Sequence, residues 1–382
     1  MKRAAAMLLS VMLLLSVCAA AGAEKVITLT FAGDCTLGCG EDDKVYIKEN
    51  FDAIMDQEGD YGYCFANFLD LFSGDDCTIV NFEGVLQDTK DGEKKSKSFR
   101  FRGKEDYVNI LKAGSVEAVS LSNNHTFDYS TQGFNNTKRV LEEAGIGWAY
   151  EDSIWILEKD GIRIGFGSVY FSAYWQAADK IRDRLLKLRR DGEIDAAVML
   201  VHAGTEYAAA HVNQQDQFAE FFIKNAGADL VIMHHPHVVQ GIRILNNRTI
   251  FYSLGNFVFG GYYKVTRGKS GTNSLYTMAV QVKLFFTDSG EYKGQQACIY
   301  PAYDSGTDPI NNYQPVRISA EEAVPVVEAI QKDTAWELPE IREDETGKAY
   351  LVLDYLPAEE SGEAAGEREA GEPEGAPGKP AK

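Results

Sequence analysis

The chain has 382 residues, 45% of them hydrophobic, enough for one large or two ordinary domains around a real core. Its formal net charge is −19, and losing Lys2 and Arg3 with a cleaved leader takes this to −21 (−19 − 2). Nucleic acid and anionic lipid demand basic patches, so neither is expected as a partner of so acidic a chain.

The N-terminus reads as a secretory signal over residues 1–23. Lys2 and Arg3 precede an apolar stretch from Ala4 to about Val17, and Ala21-Gly22-Ala23 gives a small-x-small cleavage pattern before Glu24. The expected location is extracytoplasmic, either secreted or at the cell surface. Leu15-Ser16-Val17-Cys18 offers a rival reading as a lipoprotein box anchored through Cys18, from which the bulky Val17 departs. Cleavage leaves five cysteines, Cys35, Cys39, Cys64, Cys77 and Cys298, an odd number too scattered for a disulfide framework. For Cys35 and Cys39, one disulfide and two free thiols both stay open.

From 24 to 356 strands and helices alternate. Short apolar runs predict strands at Val26–Phe31, Thr78–Asn81, Ala118–Ser122, Ile162–Ser168, Ala196–Val201, Leu230–Met233 and Thr249–Tyr252. Helical spacing falls near 105–113, 132–144, 176–190 and 213–226, with Gly114, Gly145 and Gly227 placed to stop helices. Ser274–Phe286 and Gln295–Tyr300 alternate like sheet. The pattern predicts one layered α/β domain with extra C-terminal β structure. From 357 to 382 the chain is Glu, Gly, Ala and Pro, a composition that predicts a disordered acidic tail.

Chemistry-bearing residues collect where the strands end. Asp34 and Glu83 follow the first two apolar runs, and five of the six histidines follow later ones. Ligands of open α/β sheets bind beyond the carboxyl ends of parallel strands. The segments are Gly33-Asp34-Cys35-Thr36, Asn81-Phe82-Glu83-Gly84, Asn123-Asn124-His125 with Asp128, His202-Ala203-Gly204-Thr205-Glu206, His234-His235-Pro236-His237 and Ser253-Leu254-Gly255-Asn256-Phe257. Carboxylate, amide oxygen and imidazole form the ligand set of zinc, manganese or iron, with no thiolate needed. An isolated Asp after a strand is more often a turn or a helix cap; the signal lies in the combination.

In this order the motifs resemble the poly-γ-glutamate capsule biosynthesis, or CapA-like, family over roughly residues 26–260. That resemblance implies the calcineurin-like metallophosphoesterase fold, a four-layer αββα sandwich. It also implies metal ligands at Asp34, Glu83 (in place of a bridging aspartate), Asn124, His202, His235 and His237, holding one or two divalent ions of Mn, Zn or Fe. His125, oriented by Asp128, matches the histidine that serves a leaving group or oxyanion. Glu206 is expected as a partner of His202 or as a base. Thr36 departs from the family pattern of the metallophosphoesterases, which have a histidine ligand there, and His234 is expected behind the ligands rather than among them. The implied function is capsule or cell-envelope polymer biosynthesis by a metal-dependent hydrolase with a phosphoester-type site. The alternatives are a γ-glutamyl amide hydrolase or transferase, and a non-catalytic polymer-binding or export subunit beside a membrane synthase. The expected partners are an anionic polymer such as poly-γ-glutamate or a phosphoester, with membrane synthase subunits. Lys97, Arg100 and Arg102 read either as the solvated face of a strand or as a grip on such an anion, and His211 as a surface histidine.

Overall fold

The computed structural model describes residues 25–40, 49–260, 264 and 272–358. The expected leader, with Cys18, and residues 359–382 of the expected tail lie outside them. A ten-stranded sheet runs β17 (Arg342–Glu343), β18 (Ala349–Val352), β15 (Tyr292–Tyr303), β14 (Tyr276–Phe286), β1 (Lys25–Cys35), β3 (Cys77–Phe82), β6 (Ala118–Ser120) and β7 (Gly147–Ala149). Two short strands, β16 (Val316–Arg317) and β19 (Leu356–Pro357), pair with β15. A six-stranded sheet runs β12 (Ile242–Leu245), β13 (Arg248–Phe251), β11 (Leu230–His234), β10 (Ala196–His202), β9 (Ile162–Tyr170) and β8 (Glu151–Lys159). A small third sheet joins β2 (Cys39–Gly40), β5 (Phe101–Gly103) and β4 (Val85–Leu86).

Alternation along the strands sets the layering, because successive side chains leave a strand on opposite faces. Leu29, Ile79, Ala118, Val198, Leu200, Ile232 and Val280 share one buried cluster, which fills the space between the two large sheets. Their neighbours point outward. Val80 and Val119 pack with Ile110, Leu111, Phe134 and Leu141 from the helices Val108–Ala113 and Ser130–Ala144. Ala197, Met199, Val201 and Val231 pack with Ile181, Leu185, Phe218 and Phe222 from the helices Tyr174–Arg190 and Asn213–Ala226. The result is helix, sheet, sheet, helix: the expected four-layer sandwich. The C-terminal β structure extends the first sheet, and the helix Ala320–Gln331 adds Ala323, Val326 and Ile330 to the inter-sheet core.

The expected strands and helices are present, and Gly145 and Gly227 end their helices in the left-handed conformation. Among the elements not expected are the helix Phe51–Glu58, strand β8 and the helix Ala320–Gln331, besides several short strands. Strand β8, an edge partner of β9, carries charges at both ends of the short, half-exposed apolar run Ile154-Trp155-Ile156-Leu157, which therefore stands out less than the fully buried runs. Pro325 sits inside the last helix and hides its periodicity.

Within each sheet the core strands are parallel, β1–β3–β6–β7 and β9–β10–β11–β13. Their carboxyl ends therefore lie along one edge. There β1 slips register between Ala32 and Asp34, and its end meets the loop after β13. Asp34 N donates to Gly255 O at 3.0 Å, and Phe257 N donates back to Asp34 O at 2.8 Å. Gly33 makes this approach feasible, since a Cβ there would stand 2.0 Å from Gly255 O. Gly33→Ala is expected to cost about 2–3 kcal/mol of unfolding free energy in a denaturant titration, and no loss would refute the tight contact.

Candidate metal centre

Asp34 ends β1, Glu83 follows β3, Asn123–His125 follow β6, His202 ends β10, and His234 ends β11 with His235 and His237 just beyond. Five strand ends from two sheets thus deliver their polar side chains to one edge. The backbone around Pro236 is strained, with φ of 101° at His235 and 57° at His237, values rare for non-glycine residues.

Two sets of ligand-type atoms share Glu83. In the first, His202 Nε2 lies 2.8 Å from Asn124 Oδ1, 3.1 Å from His235 Nδ1 and 3.6 Å from Glu83 Oε1. In the second, His237 Nδ1 lies 3.3 Å from Asp34 Oδ2, and its Nε2 lies 3.9 Å from Glu83 Oε1. Glu83, His202 and His235, and likewise Asp34, Glu83 and His237, are buried and offer ligand atoms within 4.8 Å of one another. Glu83 is fully buried, yet neither of its carboxylate oxygens has a hydrogen-bond partner. Nearly all buried polar groups are paired, so two orphan oxygens facing imidazoles fit a missing cation. The donor set, oxygen and nitrogen without sulfur, fits Mn, Zn or Fe. The six residues implied as ligands are all brought together.

The electrostatics follow from this crowding. Burial, then the neighbouring Asp34, raises Glu83 well above the usual carboxylate range. Burial acts on Asp34 in the same sense, but its contacts with His234 and His237 outweigh it and hold the group well below that range. Burial and the His237 ring push His235 down to about 4. For His237 burial is overcome by Glu83 and Asp34, which lift it to about 9.

His125 completes the edge. Its Nδ1 stands 2.7 Å from Asp128 Oδ2, a spacing that places the proton on Nδ1, and its Nε2 faces Glu83 Oε1 at 3.7 Å. Asp128 is itself fixed by Phe101 N at 2.7 Å and by the Lys97 ammonium, which also reaches Asn124 O at 2.7 Å. Burial holds His125 below the ordinary histidine range in spite of Asp128. The Phe101 ring lies against it, centroids 4.2 Å apart, and Phe259 covers His237 at 4.9 Å.

Several expectations change. Glu206 is exposed and groups with His235 and His237, whereas the Nδ1 of His202 meets Asn81 Nδ2 at 3.2 Å. Asn81, not Glu206, is therefore the partner of His202; an amide two residues before Glu83 on the same buried strand reaches where an exposed loop carboxylate does not. His234 is buried behind the ligands as expected, its Nδ1 3.4 Å from Asp34 Oδ1. Thr36 is turned away: its hydroxyl donates to Gly38 O at 3.2 Å and accepts from Gly260 N at 2.7 Å. The basic cluster is not an open grip, for Lys97 is tied as described, Arg100 pairs with Glu93 at 3.0 Å and Arg102 donates to Gln87 O at 3.0 Å. His211 is no simple surface residue: it binds Asp333 at 2.8 Å and stacks on Tyr252. Cys35 and Cys39 are not joined in a disulfide. Asn81 and Asn256 stand within the motifs, but nothing in the sequence assigns them a role. Only the fold shows that Asn81 joins Asp34 (2.7 Å) to His202 and that Asn256 meets His237 Nδ1 (2.9 Å).

Residues 28–261 match the family described as bacterial capsule synthesis protein PGA_cap. The capsule biosynthesis protein CapA of Bacillus anthracis is 29% identical over 262 residues, 62% of this chain and 60% of its own length. The PGA biosynthesis protein CapA of Bacillus subtilis (strain 168) is 29% identical over 267 residues, 64% of this chain and 66% of its own length. This chain thus spans less than two thirds of either relative. A probable polyglutamine synthesis accessory protein of Mycobacterium tuberculosis is 26% identical, covering 62% of this chain and 76% of its own length. Among solved structures, a calcineurin-like phosphoesterase from Bacillus subtilis aligns with a TM-score of 0.41 and 14% identity over 79% of this chain and 97% of its own.

Thr36→Val removes both hydroxyl bonds and leaves the buried Gly260 N–H unpaired. The expected loss is about 1–3 kcal/mol of stability with metal affinity unchanged. A fall in affinity without a fall in stability would make Thr36 a ligand after all.

Proposed function

Because this chain belongs to the bacterial capsule synthesis family PGA_cap, we propose that it is an extracytoplasmic, metal-dependent hydrolase of poly-γ-glutamate capsule or cell-envelope polymer biosynthesis, with a phosphoester-type site. The observation that carries the metal is Glu83, a buried carboxylate with two unpartnered oxygens inside a cage of Asp34, Asn124, His202, His235 and His237. One or two divalent ions held there supply Lewis acidity to a phosphoryl or carbonyl oxygen. The protein residues do the rest. Asp128 holds the proton on His125 Nδ1 and aims Nε2 into the site, where a second proton can be passed to a leaving group or kept against an oxyanion. Phe101 and Phe259 keep water from the rings they cover. Glu206, exposed beside His235 and His237, stands where a base or an added ligand is useful. The names of the relatives, capsule and PGA biosynthesis proteins, support an anionic polymer as substrate or cargo; membrane synthase subunits beside it are part of the proposal. The same Lewis acid serves a γ-glutamyl amide, so the scissile bond is a matter for assay. Among the described residues no helix is long and apolar enough to cross a membrane. Location outside the cytoplasm rests on the leader pattern, and recovery of the full chain in the cytoplasmic fraction would overturn it.

Thr36 supports a second reading. With its hydroxyl bonded to the backbone, the Asp34 side of the cage has one ligand fewer than the family pattern, which suits a polymer-binding or export subunit that performs no turnover. The deciding measurement is metal content of the mature chain by plasma mass spectrometry, beside His235→Ala/His237→Ala. We expect about one to two equivalents of Mn, Zn or Fe, absent from the double variant. At a hundredfold excess of metal over Kd the wild type should gain about 2.7 kcal/mol of stability and Glu83→Gln much less. Metal binding with cleavage of phosphodiesters or γ-glutamyl polymer supports the hydrolase. No metal, even when all three are supplied, moves the assignment to the binding subunit.

A further inference from the structure

The loop 203–212 links β10 to the helix Asn213–Ala226 and carries Glu206 and Tyr207 past the site. Its front is anchored beside the histidines: Tyr207 N donates to Pro236 O at 2.8 Å, and the Tyr207 ring lies 5.9 Å from that of His237. Packing holds its middle weakly. Glu206, Ala209 and Ala210 are exposed, and Ala209 borders a cavity of about 240 Å³ with Val238, Val239, Ala329 and Lys332. Polar ties therefore decide whether the rear of the loop stays in place. One is Gln240 Nε2, which donates to Ala208 O at 3.0 Å.

The other tie is His211. Its ring Nδ1 stands 2.8 Å from Asp333 Oδ1 and its Nε2 3.3 Å from Asp216 Oδ2, while its backbone N donates to Asp333 Oδ2 at 3.0 Å. Asp333 is nearly buried and also accepts from Gly241 N at 2.8 Å. A Cβ on Gly241 would stand 1.9 Å from Asp333 O, so these two segments touch backbone to backbone. Tyr252 stacks on the imidazole, with centroids 3.9 Å apart and planes within 6°. One carboxylate just past the helix Ala320–Gln331, and beyond the family match at 28–261, thus joins three stretches of chain.

We infer that His211 is a protonation-dependent clamp: as an imidazolium held between Asp333 and Asp216, it ties the loop 203–212 to the C-terminal part of the chain and keeps Glu206 and Tyr207 beside His237. A neutral imidazole has one N–H and can serve only one carboxylate, whereas the cation has two and serves both. Among the described residues the other ionisable groups of the cluster are Glu220 on the same helix as Asp216, Arg243 of β12 and Tyr252 after β13. Arg243 pairs with Asp216 at 2.7 Å and with Glu220 at 2.9 Å, and the Tyr252 hydroxyl donates to Asp216. With His211 protonated, His211 and Arg243 face Asp216, Glu220 and Asp333, a sum of −1 (+2 − 3). Loss of the proton makes it −2 and turns a ring lone pair toward Asp216. The hydrogen bond to Asp333, opposed by burial, raises His211 above the ordinary histidine range. A group raised in this way contributes its stability in full below the unfolded value of about 6.5. The contribution is lost as pH rises through the folded value. That Glu206 and Tyr207 serve catalysis rests on the hydrolase reading; the clamp itself does not.

The test uses the metal-free mature chain from about pH 5 to 9. Histidine-ring NMR follows His211, and amide exchange across 203–212, corrected for its intrinsic rate, follows the loop. We expect His211 to titrate above about 6.5 and exchange to rise about tenfold through the same midpoint. Asp333→Asn should lower that midpoint toward the ordinary value and carry the exchange step with it. His211→Gln, with native near-ultraviolet circular dichroism, should exchange fast at every pH. A wild-type midpoint at or below the ordinary value overturns the clamp without recourse to any variant, as does a loop whose protection ignores that midpoint. An exchange step that survives His211→Gln overturns it too. A chain that shows the clamp but binds no metal overturns the hydrolase reading alone.

Discussion

Glu83 stands fully buried at the end of β3 with neither carboxylate oxygen hydrogen-bonded. Taking a carboxylate out of water costs several kcal/mol even after the protein relaxes, and nothing among the described residues returns that cost through hydrogen bonds. The surrounding atoms are instead arranged as a cation would want them. Three imidazoles, an amide oxygen and a second carboxylate converge within contact distance. Three of these are held from behind, Asp34 and His202 by Asn81 and His237 by Asn256, and the neighbouring His125 is held by Asp128. Remove the central charge and these arrangements lose their purpose.

The four-layer fold is what brings these groups together. Two parallel half-sheets packed face to face place five strand ends along one edge, so ligands separated by up to about two hundred residues in the chain become neighbours. The inter-sheet core holds that register, and Ser120 and Ser168 add a buried polar link of 2.7 Å between β6 and β9 close to the site. Strained backbone is present at the same edge, at the positive φ of His235 and His237 on either side of Pro236. Such backbone persists only where its surroundings over-determine it; here His235 N donates to Asp34 Oδ2 at 3.3 Å and the His237 ring is clamped by Asn256.

Much of the architecture was legible because the central strands are buried on both faces and so read as continuous apolar runs, with ligands at their ends. Strand β8 was less legible, since its apolar run of four, Ile154–Leu157, is half-exposed and flanked by charges. The residues that converge at the site were readable from the order of short motifs, as was the departure at Thr36. What Thr36 does instead, bonding Gly38 and Gly260, depends on a segment more than two hundred residues away.

The sequence by itself determined the alternation of elements, the acidity, the polar residues at the strand ends and membership of the capsule synthesis family. These are local properties, carried by periodicity and by residue type at a spacing. Only the tertiary structure decided the second rank of contacts. It assigned Asn81 rather than Glu206 to His202, tied Lys97 to Asp128 rather than leaving it to grip an anion, and set Asn256 against His237. Hydrogen-bond partners are chosen by distance and direction in three dimensions, and a one-dimensional pattern holds neither.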